Sequence, residues 1–102
     1  MRLLVFFDLP VQTANDRKNY RIFRKFLIKE GYLMLQESVY SKLCINEHAV
    51  QNDIARLQKN RPPHGLVQAL RVAERQYAKM LYITGEPVEL DEVSSLDELV
   101  IL

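Results

Sequence analysis

The sequence predicts an α+β domain in which two helices cover one face of an open sheet. Three observations predict it. Leu3–Phe7 is an unbroken apolar run, the pattern of a strand buried on both faces. Two segments, Thr13–Gly31 and Asn46–Asn60, carry apolar residues at helical spacing between start and stop signals. The stretches that follow each of them, Tyr32–Ile45 and Leu66–Ala73, are rich in β-forming residues.

The first strand closes at Asp8-Leu9-Pro10, because proline removes a ladder donor. Thr13 reads as an N-cap with Asp16 three residues on, as in a capping box. That helix runs to about Glu30, and Gly31 supplies the left-handed position that ends it. In Tyr32–Ile45, polar Gln36-Glu37-Ser38 interrupts the β pattern without glycine or proline. The expectation there is two strand segments joined by a bend or bulge rather than by a formal hairpin turn. Asn46 caps a second helix, Glu47–Asn60, whose stripe is Val50, Ile54 and Leu57. Arg61-Pro62-Pro63-His64-Gly65 is a loop, and Leu66–Ala73 a strand with Leu66, Leu70 and Val72 in phase. A helical turn over Glu74–Lys79 precedes a further strand, Met80–Thr84, closed by Gly85-Glu86-Pro87. The order β-α-β-β-α-β is that of a ferredoxin-like sheet. Residues 1–85 form this domain, and 86–102 read as an acidic linker and a last short strand, Leu99-Val100-Ile101-Leu102. Four apolar residues at such a position need docking, either on their own sheet or on the edge of a second protomer.

Composition excludes several classes. Hydrophobic residues make up 48% and charged residues 26% of the 102 residues, against both a disordered chain and a membrane protein. One cysteine, Cys44, excludes an intrachain disulfide, and Cys and His are too few for a structural zinc site. The N-terminal run meets Asp8 too early for a signal peptide, and no apolar stretch approaches the roughly 20 residues of a membrane span. The expectation is a soluble, cytoplasmic protein.

The formal charge of +1 conceals a segregation. Residues 86–98 hold six acids (Glu86, Glu89, Asp91, Glu92, Asp97, Glu98) and no Lys or Arg, so the preceding body, with fourteen basic and seven acidic residues, carries +7. On the first helix, Arg17, Lys18, Arg21, Arg24, Lys25 and Lys29 fall within an arc of about 140°. Tyr20, Phe23, Phe26 and Leu27 occupy the opposite side. A solvated face normally interleaves acids for i,i+4 pairs. Here only Asp16 and Glu30 appear, one at each end, so the arc points to phosphate binding. Arg56, Lys59, Arg61 and His64 extend the basic inventory, with less weight.

Asp8 ends the first strand, where ligands gather in open α/β sheets, although Asp is also a common turn former. One carboxylate is a poor metal site, since Mg²⁺ usually takes one or two together with waters and phosphate oxygens. A two-fold axis near Asp8 would bring two copies together, and the pair could share one Mg²⁺ that polarises a phosphate and activates a water. No Ser-His-Asp, Cys-His, phosphate-cradling glycine or paired-histidine motif competes, and His48 and His64 have no obvious partners.

Phe6-Phe7-Asp8-Leu9-Pro10, the basic helix, Gln36-Glu37-Ser38-Val39-Tyr40 and Glu74-Arg75-Gln76-Tyr77 occur in an order and at spacings that resemble CRISPR-associated protein two. The resemblance spans about residues 1–85, and Leu99–Leu102 matches the family's terminal strand. The Phe-Phe-Asp-Leu-Pro form is most similar to members of single-effector, type II systems. The resemblance implies a ferredoxin-like homodimer whose last strand docks on the partner's sheet. It implies a place between two dimers of CRISPR-associated protein one, the integrase, holding duplex protospacer DNA during spacer acquisition. It also implies metal-dependent endonuclease activity on RNA or double-stranded DNA, with Asp8 as the Mg²⁺ ligand and catalytic residue; some members serve as a scaffold alone.

Three roles are therefore weighed. The first is a DNA-holding scaffold of the integrase, with the basic helix on the duplex backbone and the tail, Leu99–Leu102, on protein. The second is a nuclease acting through Asp8 and Mg²⁺. The third, a small-molecule regulatory domain, suits many ferredoxin-like folds but needs few charges, which the one-sided cationic arc disfavours.

Overall fold

The computed structural model describes residues 1–87. The expectations for Leu99–Leu102 and for most of the acidic segment fall outside them. Seven elements follow in order: β1 (Arg2–Asp8), α1 (Ala14–Lys29), β2 (Leu33–Gln36), β3 (Val39–Leu43), α2 (Glu47–Lys59), β4 (Leu66–Val72) and α3 (Glu74–Ala78). The four strands form one antiparallel sheet of order β2-β3-β1-β4, the ferredoxin-like arrangement.

β1 divides the molecule into two sides, because successive side chains of a strand point to opposite faces. Leu3, Val5 and Phe7 enter the core with Phe23 and Leu27 of α1 and Val50 and Leu57 of α2. Phe7 meets Phe23 edge to face at 5.3 Å, and Tyr40 of β3 lies 5.6 Å from Phe7. Arg2, Leu4, Phe6 and Asp8 point the other way, onto a face that carries neither long helix.

The caps read from sequence are present. Thr13 Oγ1 accepts from Asp16 N at 3.0 Å, while Asp16 Oδ2 accepts from Thr13 N at 3.2 Å. Asn46 Oδ1 accepts from Ala49 N at 2.8 Å, and Gly31 has φ +95° where α1 ends.

Two expectations are corrected. β2 and β3 pair as a hairpin closed over Glu37 and Ser38, with a register shift between Met34 and Gln36. A bulge is thus present, but so is a tight connection without glycine. Tertiary bonds hold it: Phe7 N donates to Ser38 O at 3.0 Å, and the Tyr20 hydroxyl donates to Glu37 O at 3.4 Å. The other correction concerns Met80–Thr84, which forms no strand among the described residues. Its β pattern pairs with no strand edge among the described residues. It crosses the sheet instead, and Met80 and Tyr82 border a cleft with Leu4, Phe6, Leu35 and Val39.

One polar cluster escaped the sequence reading. Asp53, on the inner side of α2, is 6% exposed. It accepts from Lys42 Nζ at 3.0 Å, from the Cys44 thiol at 3.5 Å and from Arg56 Nη2 at 3.5 Å, and Arg56 Nε reaches Glu30 at 2.6 Å. Burial, followed by the bond to Asp53, pushes the Cys44 thiol above its usual range. Burial likewise raises the nearby Tyr32 phenol. A buried carboxylate is stable only with such partners. Gly65 is the second hidden constraint, with φ +92°. A Cβ there would lie 2.7 Å from the Asp8 carbonyl oxygen and 2.8 Å from Leu9 Cδ2.

Two outcomes are expected. Asp53→Ala strands Lys42 in a largely buried position and lowers unfolding stability by about 2–3 kcal/mol, discounted for the exposure of Arg56; denaturant titration measures it, and a loss below about 0.5 kcal/mol would show that the cluster is dispensable. Gly65→Ala combines left-handed strain with a clash on Asp8, so it costs at least about 1–2 kcal/mol, whereas Gly85→Ala, which meets nothing within 4 Å, avoids that clash.

Candidate nucleic-acid and metal site

Asp8 is the last residue of β1, exposed, opposite Leu66 of β4. By alternation its side chain shares the face of Leu4 and Phe6. Its position is set from both sides. Leu9, 9% exposed, anchors the following residue in the core, and Gly65 lets the α2–β4 loop pass against the Asp8 backbone. Among the described residues no group of three or more His, Cys, Asp or Glu side chains is placed to hold a metal. Among the described residues, Asp8 is therefore not part of a ready-made cluster of metal ligands. That fits Mg²⁺, which needs few protein ligands, provided a second carboxylate or a phosphate completes the shell.

The face on which Asp8 lies is apolar and incompletely covered. Leu43, Leu66 and Leu70 are each more than half exposed, and Leu81 and Ile83, in the segment crossing the face, are 82% and 90% exposed. Exposed apolar surface of this extent marks an interaction face.

The six cations of α1 lie on the other side of the molecule, and all are exposed. Arg17 folds back onto the carbonyls of Val11 and Gln12, at 3.1 and 3.3 Å, and so stiffens the start of the helix. Lys18, Arg21, Arg24, Lys25 and Lys29 make no ion pair with a described residue. Four of the body's seven acids are engaged elsewhere: Glu30 and Asp53 with Arg56, Glu74 with Arg2, and Glu47 with Arg71. The arc is not purely cationic. Ile28, 51% exposed, interrupts it and Ile22, 55% exposed, flanks it, which the wheel reading missed by attending to charge alone.

The second basic group does not join this surface as a unit. Arg56 is consumed by Glu30 and Asp53, and its spacing to Asp53 (i, i+3) was the signal that could have shown it. His64 lies in the loop against Pro62, Leu9 and Asp16, beside α1's first turn. Leu99, Val100, Ile101 and Leu102 fall outside the described residues.

Comparisons with known proteins bear on the family and the fold. Residues 1–80 match the family model "CRISPR associated protein Cas2". A protein of Treponema denticola named CRISPR-associated endoribonuclease Cas2 is 55% identical over 86 residues, covering 84% of this chain and 85% of that one. A Streptococcus mutans protein of the same name is 51% identical, covering 84% and 79%. The crystal structure of Streptococcus pyogenes Cas2 at pH 6.5 superposes with a TM-score of 0.62 at 17% identity, over 82% of this chain and all of that one, and supports the fold. With the family model spanning most of the chain and close relatives matched nearly end to end, the chain belongs to the CRISPR-associated Cas2 family.

Proposed function

We propose that this protein is a dimeric CRISPR adaptation protein that holds duplex DNA by its backbone. The observation that carries the reading is the exposed, unpaired cationic face of α1, on the side of the molecule opposite the apolar sheet face. Two copies joined through their apolar faces would leave both α1 helices outward, one at each side of the assembly. Lys and Arg at such positions neutralise phosphates without reading bases, which suits a protein that must accept any captured sequence. The partner in this reading is the integrase, CRISPR-associated protein one. The acidic segment with Leu99–Leu102 serves as its docking element or as a strand on the dimer partner. A role on intracellular DNA places the protein in the cytoplasm, and no helix among the described residues is long and apolar enough to cross a membrane.

A second reading is favoured by the exposure of Asp8 on the apolar face and by the endoribonuclease name of the relatives. Joining two apolar faces about a two-fold axis brings the two Asp8 carboxylates toward one another. Together they would hold one Mg²⁺, which when bound supplies phosphate polarisation and an activated water. In this reading Asp8 contributes the ligand oxygens, and the substrate is RNA or duplex DNA reaching the seam between the two copies. A small-molecule regulatory role lacks comparable support: the most polar of the described clefts is lined by Lys42, Asp53 and Arg56, which are already engaged with one another or with Glu30.

Two measurements test these readings. Duplex affinity should fall steeply with salt. Arg21→Glu with Arg24→Glu should weaken all sequences alike and reduce the log–log salt slope by about 2; binding indifferent to salt and to this pair would refute the backbone role. Asp8→Ala should abolish Mg²⁺-dependent cleavage while leaving duplex binding within about two-fold. Cleavage that persists in a clean Asp8→Ala preparation would exclude the carboxylate pair.

A further inference from the structure

The attachment of α3 to the sheet concentrates contacts on one charged residue. α3 has five residues and buries none of them, and a helix that short has no stability of its own. Its place is set by Arg2, on the apolar face at the start of β1. Arg2 Nε donates to Glu74 Oε1 at 3.0 Å and Nη2 donates to Glu74 Oε2 at 3.1 Å, a two-pronged pair. The same guanidinium stacks 4.4 Å from the centre of the Tyr77 ring. The Tyr77 hydroxyl in turn lies 3.4 Å from Ser41 Oγ, on a β3 residue with no exposed surface. Arg2 thus engages two residues of α3 at once, and its side chain is only 13% exposed.

What α3 positions is the segment that crosses the apolar face. Met80 N donates to Tyr77 O at 3.2 Å. Tyr77, Met80 and Tyr82 then close a cleft of about 270 Å³ over Leu33 and Leu35. Along the segment exposure alternates, with Met80 and Tyr82 at 40% and 43% and Leu81 and Ile83 at 82% and 90%. One side is turned to its own sheet and the other presents two large apolar residues outward. Because the segment leaves directly from α3 and has no strand pairing of its own to hold it, a rotation of α3 would change which of its side chains face outward.

We infer that Arg2 is a positioning residue for the pairing of two copies. By clasping Glu74 and Tyr77 it fixes which side chains of Met80–Ile83 face outward, and so sets the affinity between copies. The inference rests on the dimer reading above. Its test is sedimentation equilibrium of the full chain over a concentration series at one fixed salt. Arg2→Ala and Glu74→Gln should each raise the dimer dissociation constant by about ten-fold, and the double variant should be no worse than about two-fold beyond Arg2→Ala, because both remove one shared interaction. Arg2→Lys, which keeps the charge but loses the fork and the planar stacking, should fall in between. Amide-exchange protection at Leu3, Val5 and Tyr40 should stay unchanged, which a general loss of fold would not allow. Should Arg2→Ala lose that protection, Glu74→Gln and Tyr77→Leu decide, since neither alters β1. Single variants that pair as tightly as the parent, or effects that simply add, overturn the clasp and leave the dimer reading standing. A parent chain that stays monomeric throughout overturns both.

Discussion

The structure depends on the alternation of β1. Seven residues place Leu3, Val5 and Phe7 on one face and Arg2, Leu4, Phe6 and Asp8 on the other. The first set is satisfied within the chain: α1 and α2 cover it, and each such side chain is worth about 1.5–3 kcal/mol of burial. The second set is apolar in its middle and ionic at both ends, and it lies on a sheet face that the described residues close only in part. Both long helices lie on the other face. Asp8 and Arg2 sit at opposite ends of this second face, which is the face the proposed pairing would use.

Charge is divided in the same sense. The cations near the sheet are consumed by local acids: Arg2 by Glu74, Lys42 by Asp53, Arg56 by Glu30 and Asp53, Arg71 by Glu47. The cations of α1, on the outer surface, have no such partners. Self-repulsion within a six-cation arc is tolerable in water and becomes favourable beside a polyanion, where counterion release drives association. The apolar face and the cationic face are therefore separated by the thickness of one sheet and one helix, so the proposed protein and duplex contacts would not compete.

How much of this was legible in the sequence follows from the range of each interaction. Caps, helix stripes and the end of β1 at Asp8-Leu9-Pro10 are local and periodic, and they read correctly; the exposure of the six α1 cations did too, but not the isoleucines among and beside them. The turn at Glu37-Ser38 did not, because its stability comes from Phe7 and Tyr20 rather than from turn chemistry. Asp53 shares the inner side of α2 with Val50 and Leu57, a spacing open to view, but a charged residue there makes sense only once Lys42 and Cys44 are known to face it. Met80–Thr84 has the composition of a strand, yet a strand requires a neighbouring edge, which composition does not supply. The Arg2–Glu74 pair spans 72 positions, and no local pattern announces it.

The central claim is that two copies join through the apolar sheet face, with their Asp8 positions brought together. Spin labels at Asp8→Cys, with buried Cys44 replaced by Ser, test it most directly through the dipolar distance between copies. The account predicts one narrow distribution well inside the 41 Å length of a single chain. A distance beyond that length, as contact through the helical sides would give, or no coupling at concentrations where the protein sediments as a dimer, would contradict it.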